Sequence, residues 1–284
     1  MILNNMNEAR RFLPSLNLTL GNDRFNDFFR RAQAWLVNNI LGEDIENTLE
    51  MDIALTAEDT HKELRTLCQR VIAEKALLDA IPEMDMQLTE AGFAVQNNDD
   101  FTPASAQRVD RLMEKLPERI AFDIDAIVRF LMTNSADGQS TYSYWRGTEQ
   151  FKHLTAAFIP LWEEYNKIAI PPATNYEDFF RAIPNMAILM KKVAAYYVSA
   201  EEVERLVELY RDGEALQVHR VAIAELKRVG VAAYNHDEKA ARESAISARE
   251  VMLSDPDYFT AFKDSKAFNN STVNLDGGKT VNFL

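Results

Sequence analysis

A chain of 284 residues that is 47% hydrophobic has material for one large core or two smaller ones, and its nine glycines and nine prolines are too few for the tight turns of a β-sandwich or barrel. A net charge of −13 excludes a broad, nonspecific grip on nucleic acid, which needs a basic face. The single cysteine, Cys68, excludes an internal disulfide and any cysteine-based zinc site.

The first residues carry no signal-peptide pattern, because Asn4, Asn5, Asn7, Glu8, Arg10 and Arg11 interrupt every apolar stretch. From Asn22 to Leu41, Phe25, Phe28, Phe29, Ala32, Trp35, Leu36 and Ile40 recur at steps of three and four, which predicts an amphipathic helix. Asn22 or Asp23 caps its start and Gly42 closes its end. Thr56-Ala57-Glu58-Asp59 resembles a capping box and opens a second helix. That helix continues through Leu64, Leu67, Val71, Ile72, Ala76 and Leu77 and stops at Pro82, with Cys68 on its apolar face. A short strand-like patch follows around Gly92, then a polar turn at Asn97-Asn98-Asp99-Asp100. A new helix starts at Thr102, with Pro103 in its first turn, and carries Val109, Leu112 and Leu116. Another follows Pro117, with Ile120, Ile124, Ile127, Val128 and Leu131 on one side.

Residues 133–148 are polar and turn-rich, and they mark the boundary between an N-terminal helical half (1–132) and a C-terminal helical half (149–264). Helices resume at Phe151, halt at Pro171-Pro172, and restart at Asn175-Tyr176-Glu177-Asp178. Lys191 and Lys192 interrupt the most apolar of them, so no window reaches the roughly 18 apolar residues of a membrane span. Ser199-Ala200-Glu201-Glu202 is a second capping box, followed by Val203, Leu206, Val207 and Tyr210 up to Gly213. Two further helices are expected through Val218–Val229 and 237–253. The segments 42–46 and 200–204, and 71–74 and 222–225, fall in the same order in the two halves. A degenerate duplication and chance resemblance between amphipathic helices both account for that order.

The last segment, 265–284, is an extended tail. Phe268, Val273 and Leu275 alternate with polar residues, Asp276-Gly277-Gly278-Lys279 makes a turn, and Val281 and Phe283 resume a strand-like pattern. Such a hairpin needs a surface, either the chain's own body or a neighbouring subunit. The fold class is thus all-α: a multi-helix bundle with two helical halves and a short strand-like C-terminal tail.

No catalytic motif is present. Glu58-x-x-His61 has the spacing of one half of a di-iron site and lacks its second copy, while His153, His219 and His236 have no triad companions. Among 44 carboxylates, helical neighbours arise by chance. Tyr142, Tyr144, Trp145 and Arg146 lie together between the halves, either as a partner-binding patch or as cover for the seam.

The ordered series Phe12-Leu13-Pro14-Ser15-Leu16, Phe28 to Trp35, Gly42-Glu43-Asp44-Ile45 and above all Ile81 to Leu116 resembles an uncharacterised family of Bacteroides phage and prophage structural proteins similar to head–tail connectors. The resemblance fades beyond residue 150. It implies a non-catalytic virion adaptor that forms a homo-oligomeric ring between portal and tail proteins, with DNA passing nearby without specific binding. It also implies no metal, no cofactor and no membrane partner. The location it implies is the virion, with the host cytoplasm as the place of assembly. Partner contacts would then come from Tyr142, Tyr144, Trp145, Arg146, Phe268, Val273, Leu275, Val281 and Phe283. A bacterial helical adaptor or scaffold without a viral role is the alternative.

Overall fold

The computed structural model describes residues 1–13, 22–55, 61–84, 87–89, 92–94, 106–136, 138 and 140–269. It is all-α, as the sequence predicts, with one three-residue strand pair, and it divides into two compact units.

Unit 1 comprises residues 1–150 with 174–176. Its first helix, α1 (Met6–Ala9), is capped by Asn5, whose side chain accepts from Glu8 N. Helix α2 (Asn22–Leu36) runs into a π-helical turn at Val37–Leu41. Gly42 ends it at φ +80°, in a region that costs glycine little, with its N–H on Val37 O at 2.8 Å. Helix α3 (Glu43–Leu55) starts at once, its first turn holding Glu43, Asp44 and Glu46 at the positive end of the helix dipole. Helix α4 (Lys62–Met84) packs against α2 on one side and α5 (Ala106–Asn134) on the other.

The buried stripe of α2, Phe25, Phe29, Ala32 and Leu36, belongs to one core with Leu64, Cys68, Val71, Ile72 and Ala76 of α4 and Leu116, Ile120, Ile124, Ile127 and Leu131 of α5. Each fully buried large side chain contributes about 1.5–3 kcal/mol. Cys68 is fully buried, as expected, and burial pushes its thiol far up. Between α4 and α5, β1 (Gln87–Thr89) pairs antiparallel with β2 (Gly92–Ala94) in the register Leu88 opposite Phe93. This is the strand-like patch that the sequence places around Gly92.

Three sequence expectations are corrected here. Helix α4 does not stop at Pro82 but runs two residues further. Pro82 deprives only Leu78 O of a partner, and Glu83 beyond it is held by both Nη1 and Nη2 of Arg31 at 3.0 and 3.3 Å. The helices expected on either side of Pro117 are one continuous helix, because the buried ladder from Leu116 to Leu131 keeps its three-and-four spacing across the proline. Residues 133–148 are not a linker but part of unit 1: 133 and 134 finish α5, and Ser143–Gly147 form a 3₁₀ turn whose Trp145 is fully buried. The expected starts at Thr56 and Thr102 lie outside the described residues.

Unit 2 comprises residues 151–173 and 177–284. Its elements are α6 (Glu149–Leu154) from Phe151 on, α7 (Trp162–Asn166), α8 (Tyr176–Tyr197) from Glu177 on, α9 (Ala200–Asp212), α10 (Gln217–Tyr234), α11 (Glu238–Ser254), α12 (Thr260–Lys263) and α13 (Lys266–Asn269). The core joins Met190, Val193 and Ala194 of α8 to Val203 and Leu206 of α9, Ile223, Leu226 and Val229 of α10, and Ala241, Ala245, Ala248 and Met252 of α11, closed by Phe259 and Phe262. The small residues of α11 allow its close pairing with α10. Gly230 lets α10 approach α8 instead: a Cβ there would stand 3.3 Å from Met186 O. Ser199 caps α9 by accepting from Glu202 N at 3.1 Å, and Gly213 ends it at φ +77°. Asp237 caps α11 through Ala240 N.

The segments matched between the halves occupy like positions. Glu43–Glu46 and Glu201–Glu204 each lie in the first turns of a 13-residue helix, and 71–74 and 222–225 lie in α4 and α10. Of the tail, Phe268 is helical in α13 rather than extended, and 270–284 lie outside the described residues.

Candidate functional site

The 3₁₀ turn Ser143–Gly147 is built so that its aromatic residues point to different neighbours within unit 1. Trp145 enters the core and its Nε1–H donates to Ile40 O at 2.8 Å, serving a carbonyl at the end of the π turn where an intrahelical donor is missing. Tyr142, 7% exposed, bonds its hydroxyl to His61 Nδ1 and stands edge-on to Phe130. Half-buried Tyr144 pairs its hydroxyl with Thr48 Oγ1 at 2.8 Å and donates to Asp44 O at 3.3 Å. Arg146 donates through Nε to Ser135 Oγ and through Nη2 to Met132 O. The four residues are neighbours in sequence, and each side chain is turned to a different partner. For Tyr142 and Trp145 the partner-contact expectation is corrected, because their surfaces are spent inside the unit.

Phe268 is half-buried and packs edge-on to Phe262 at 5.5 Å. Val273, Leu275, Val281 and Phe283 lie outside the described residues. His219 and His153 have structural partners too, while the His236 side chain is exposed. His219 Nδ1 accepts from Leu216 N, which leaves Nε2 to donate to Tyr258 O at 3.0 Å. His153 stacks on Phe180, and burial lowers its pKa. Glu58 lies outside the described residues, and among those described no three His, Cys, Asp or Glu side chains are placed to hold a metal ion.

Sequence reasoning missed a second group in unit 1. Arg11, Phe12 and Leu13 line an open cleft of about 580 Å³ together with helices α4 and α5. Helix α4 contributes Arg70, Glu74 and Leu77 from one face, and α5 contributes Leu112, Leu116, Arg119, Phe122 and Asp123. Arg70 Nη1 donates to Asp123 Oδ1 at 3.1 Å, and Arg119 Nη2 donates to Glu74 Oε1. The Glu74 side chain is 0% exposed, and its Oε2 receives no donor; the Asp123 carboxyl stands beside it. Burial first, and then the Asp123 charge, push the Glu74 carboxyl up to about 7 against the opposing pull of Arg119 and Arg70. One proton shared by the two carboxyls satisfies the orphan oxygen, with Glu74 donating to Asp123.

A stability signature follows. Folding raises the Glu74 pKa, so the native chain holds more protons than the unfolded chain from the ordinary glutamate range up to about 7. Stability therefore falls as pH rises through that window and is flat above it. The full shift would be worth about 3 kcal/mol, and water in the open cleft reduces the expected loss to about 1–2 kcal/mol. Glu74→Gln, which mimics the protonated carboxyl, should abolish this part of the pH dependence in urea denaturation between about pH 5 and pH 8. An unchanged slope would place the shared proton elsewhere.

Residues 16–155 match the model of a family described as a family of unknown function (DUF6712). No curated protein and no solved structure matches the chain.

Proposed function

We propose that the chain is a structural component of a phage or prophage virion: a non-catalytic head–tail connector or adaptor that forms a ring at the portal–tail junction. The observation that carries this reading is the ordered resemblance of the N-terminal half, from Phe12 to Leu116, to phage structural proteins. The family match at residues 16–155 overlaps most of that stretch and brings no assigned function with it. Two features are compatible with work by shape and self-contact. One is the helical build; the other is a set of large apolar side chains left on helix surfaces. In unit 2, α8 presents Ile188, 62% exposed, and Tyr196 on one face, with Lys192 between them at helical spacing. The acidic balance suits a protein that stands beside DNA without binding it. Among the described residues, no helix is long and apolar enough to cross a membrane.

The test is light scattering with negative-stain imaging, alone and with the cognate portal, on the full chain and on a chain cut before residue 265. Rings should form, and Ile188→Glu combined with Tyr196→Lys should shift them toward smaller species while leaving the helical circular dichroism intact. A strictly monomeric chain that ignores the portal would favour the alternative, a bacterial helical adaptor or scaffold without a viral role.

A further inference from the structure

The cleft between α4 and α5 combines arginine side chains with apolar ones. In a chain of net charge −13, three guanidiniums, those of Arg11, Arg70 and Arg119, gather around one opening. Arg11 has no ion-pair partner among the described residues. Arg70 and Arg119 are about half exposed and each spends one N–H on a carboxylate, which leaves further donors in the planar fork. The wall behind them is apolar: Leu13, Leu77 and Leu116 are buried, and Phe122 is 47% exposed at the rim. The cleft volume lies within the range of small-molecule sites.

We propose that this cleft binds an anionic amphiphile: a single carboxylate or sulfonate head at Arg11 and Arg119, with an apolar body along Leu77, Leu112, Leu116 and Phe122. The protonation of the buried carboxyl at the cleft wall sets how strongly the cleft attracts a negative charge. Among the described residues, the charged groups that face Glu74 are Arg70 from its own helix, Arg119 and Asp123 from α5, and Arg11 from the segment after α1. With one proton shared by Glu74 and Asp123, three positive charges face a single negative one, and the cleft attracts an anion. With both carboxyls ionised the excess falls to one charge, and affinity drops. Ligand binding is thus coupled to proton uptake by Glu74, which acts as a positioning and charge-setting residue rather than as a contact for the head group. The inference is independent of the ring reading, since a monomer or a ring subunit contains the same cleft.

Calorimetric titration of the full chain tests it with octanesulfonate, whose charge does not change in this range, against octyltrimethylammonium and octanol. Octanesulfonate should bind one per chain, about tenfold or more tighter than either competitor. It should bind more tightly at about pH 6 than at about pH 8. Exposed Arg11→Gln, which leaves the fold intact, should weaken it about tenfold. Glu74→Gln should bind at the higher pH as the wild type binds at the lower one. Equal or tighter binding of octyltrimethylammonium, no octanesulfonate binding at millimolar concentration, or indifference to Arg11→Gln each overturns the proposal.

Discussion

Trp145→Ala is expected to lower the unfolding free energy by roughly 3–5 kcal/mol, the range for removing a large buried aromatic. The side chain is fully buried, so its loss leaves a cavity in unit 1 and forfeits the transfer free energy of the indole. It also strips Ile40 O of the donor at 2.8 Å that terminates the π turn, and an unsatisfied buried carbonyl costs about 1–3 kcal/mol by itself. Trp145→Phe separates the two contributions. It keeps most of the apolar volume and loses only the N–H, so a cost of about 1–2 kcal/mol is expected. Urea denaturation followed by circular dichroism reads both. A cost below 1 kcal/mol for the alanine variant would mean that the turn at 143–147 is a surface feature and not part of the core.

How much of this was legible in the sequence varies with the kind of signal. The α2 stripe, the Gly42 terminator, the Ser199 cap and the burial of Cys68 are local properties: a spacing, one backbone conformation, one hydroxyl, one helical face. Over the first nine residues of helix α3, 43–51, Ile45 and Leu49 are the buried hydrophobics, which makes a weak stripe and hid the helix. Pro82 and Pro117 misled for one reason. A proline removes a single hydrogen bond from its helix, about the strength of a helix-stop signal, whereas the buried ladder of α5 across Pro117 contributes far more. The letters alone did not tell an exposed aromatic cluster from a buried one at Tyr142–Trp145; that distinction depends on Ile40, 105 residues from Trp145, and on His61, 81 residues from Tyr142. Glu74 and Asp123 lie on different helices and are two of 44 carboxylates, so no spacing announces them as a pair.

Glu202 shows the same limit within a motif that was read correctly at its start. Ser199 caps α9 as the capping-box pattern predicts, but the glutamate of the box does not reach back to the cap. Its Oε1 accepts from Arg205 Nε at 3.1 Å and Nη2 at 2.9 Å, and its Oε2 accepts from the Phe262 backbone N–H at 3.0 Å. That N–H lies in the first turn of α12, where it has no intrahelical acceptor. Arg205 Nη2 in turn donates to Tyr258 O, so one fully buried carboxylate ties α9 to the chain segment before and within α12. Glu202→Ala should therefore cost about 3–5 kcal/mol, because it leaves a guanidinium and a buried amide without their acceptor. Adding Arg205→Met should restore part of that loss, since removing both partners of an ion pair is milder than stranding one. Glu202→Gln, which keeps an acceptor for Phe262 and gives up the charge, should fall between the wild type and the alanine variant. Strict additivity of Glu202→Ala and Arg205→Met in the double-mutant cycle would show that the two side chains act independently, and the tie between α9 and α12 would then rest on the Phe262 N–H bond to Glu202 Oε2 and on the apolar contacts of Phe259 and Phe262, without the arginine.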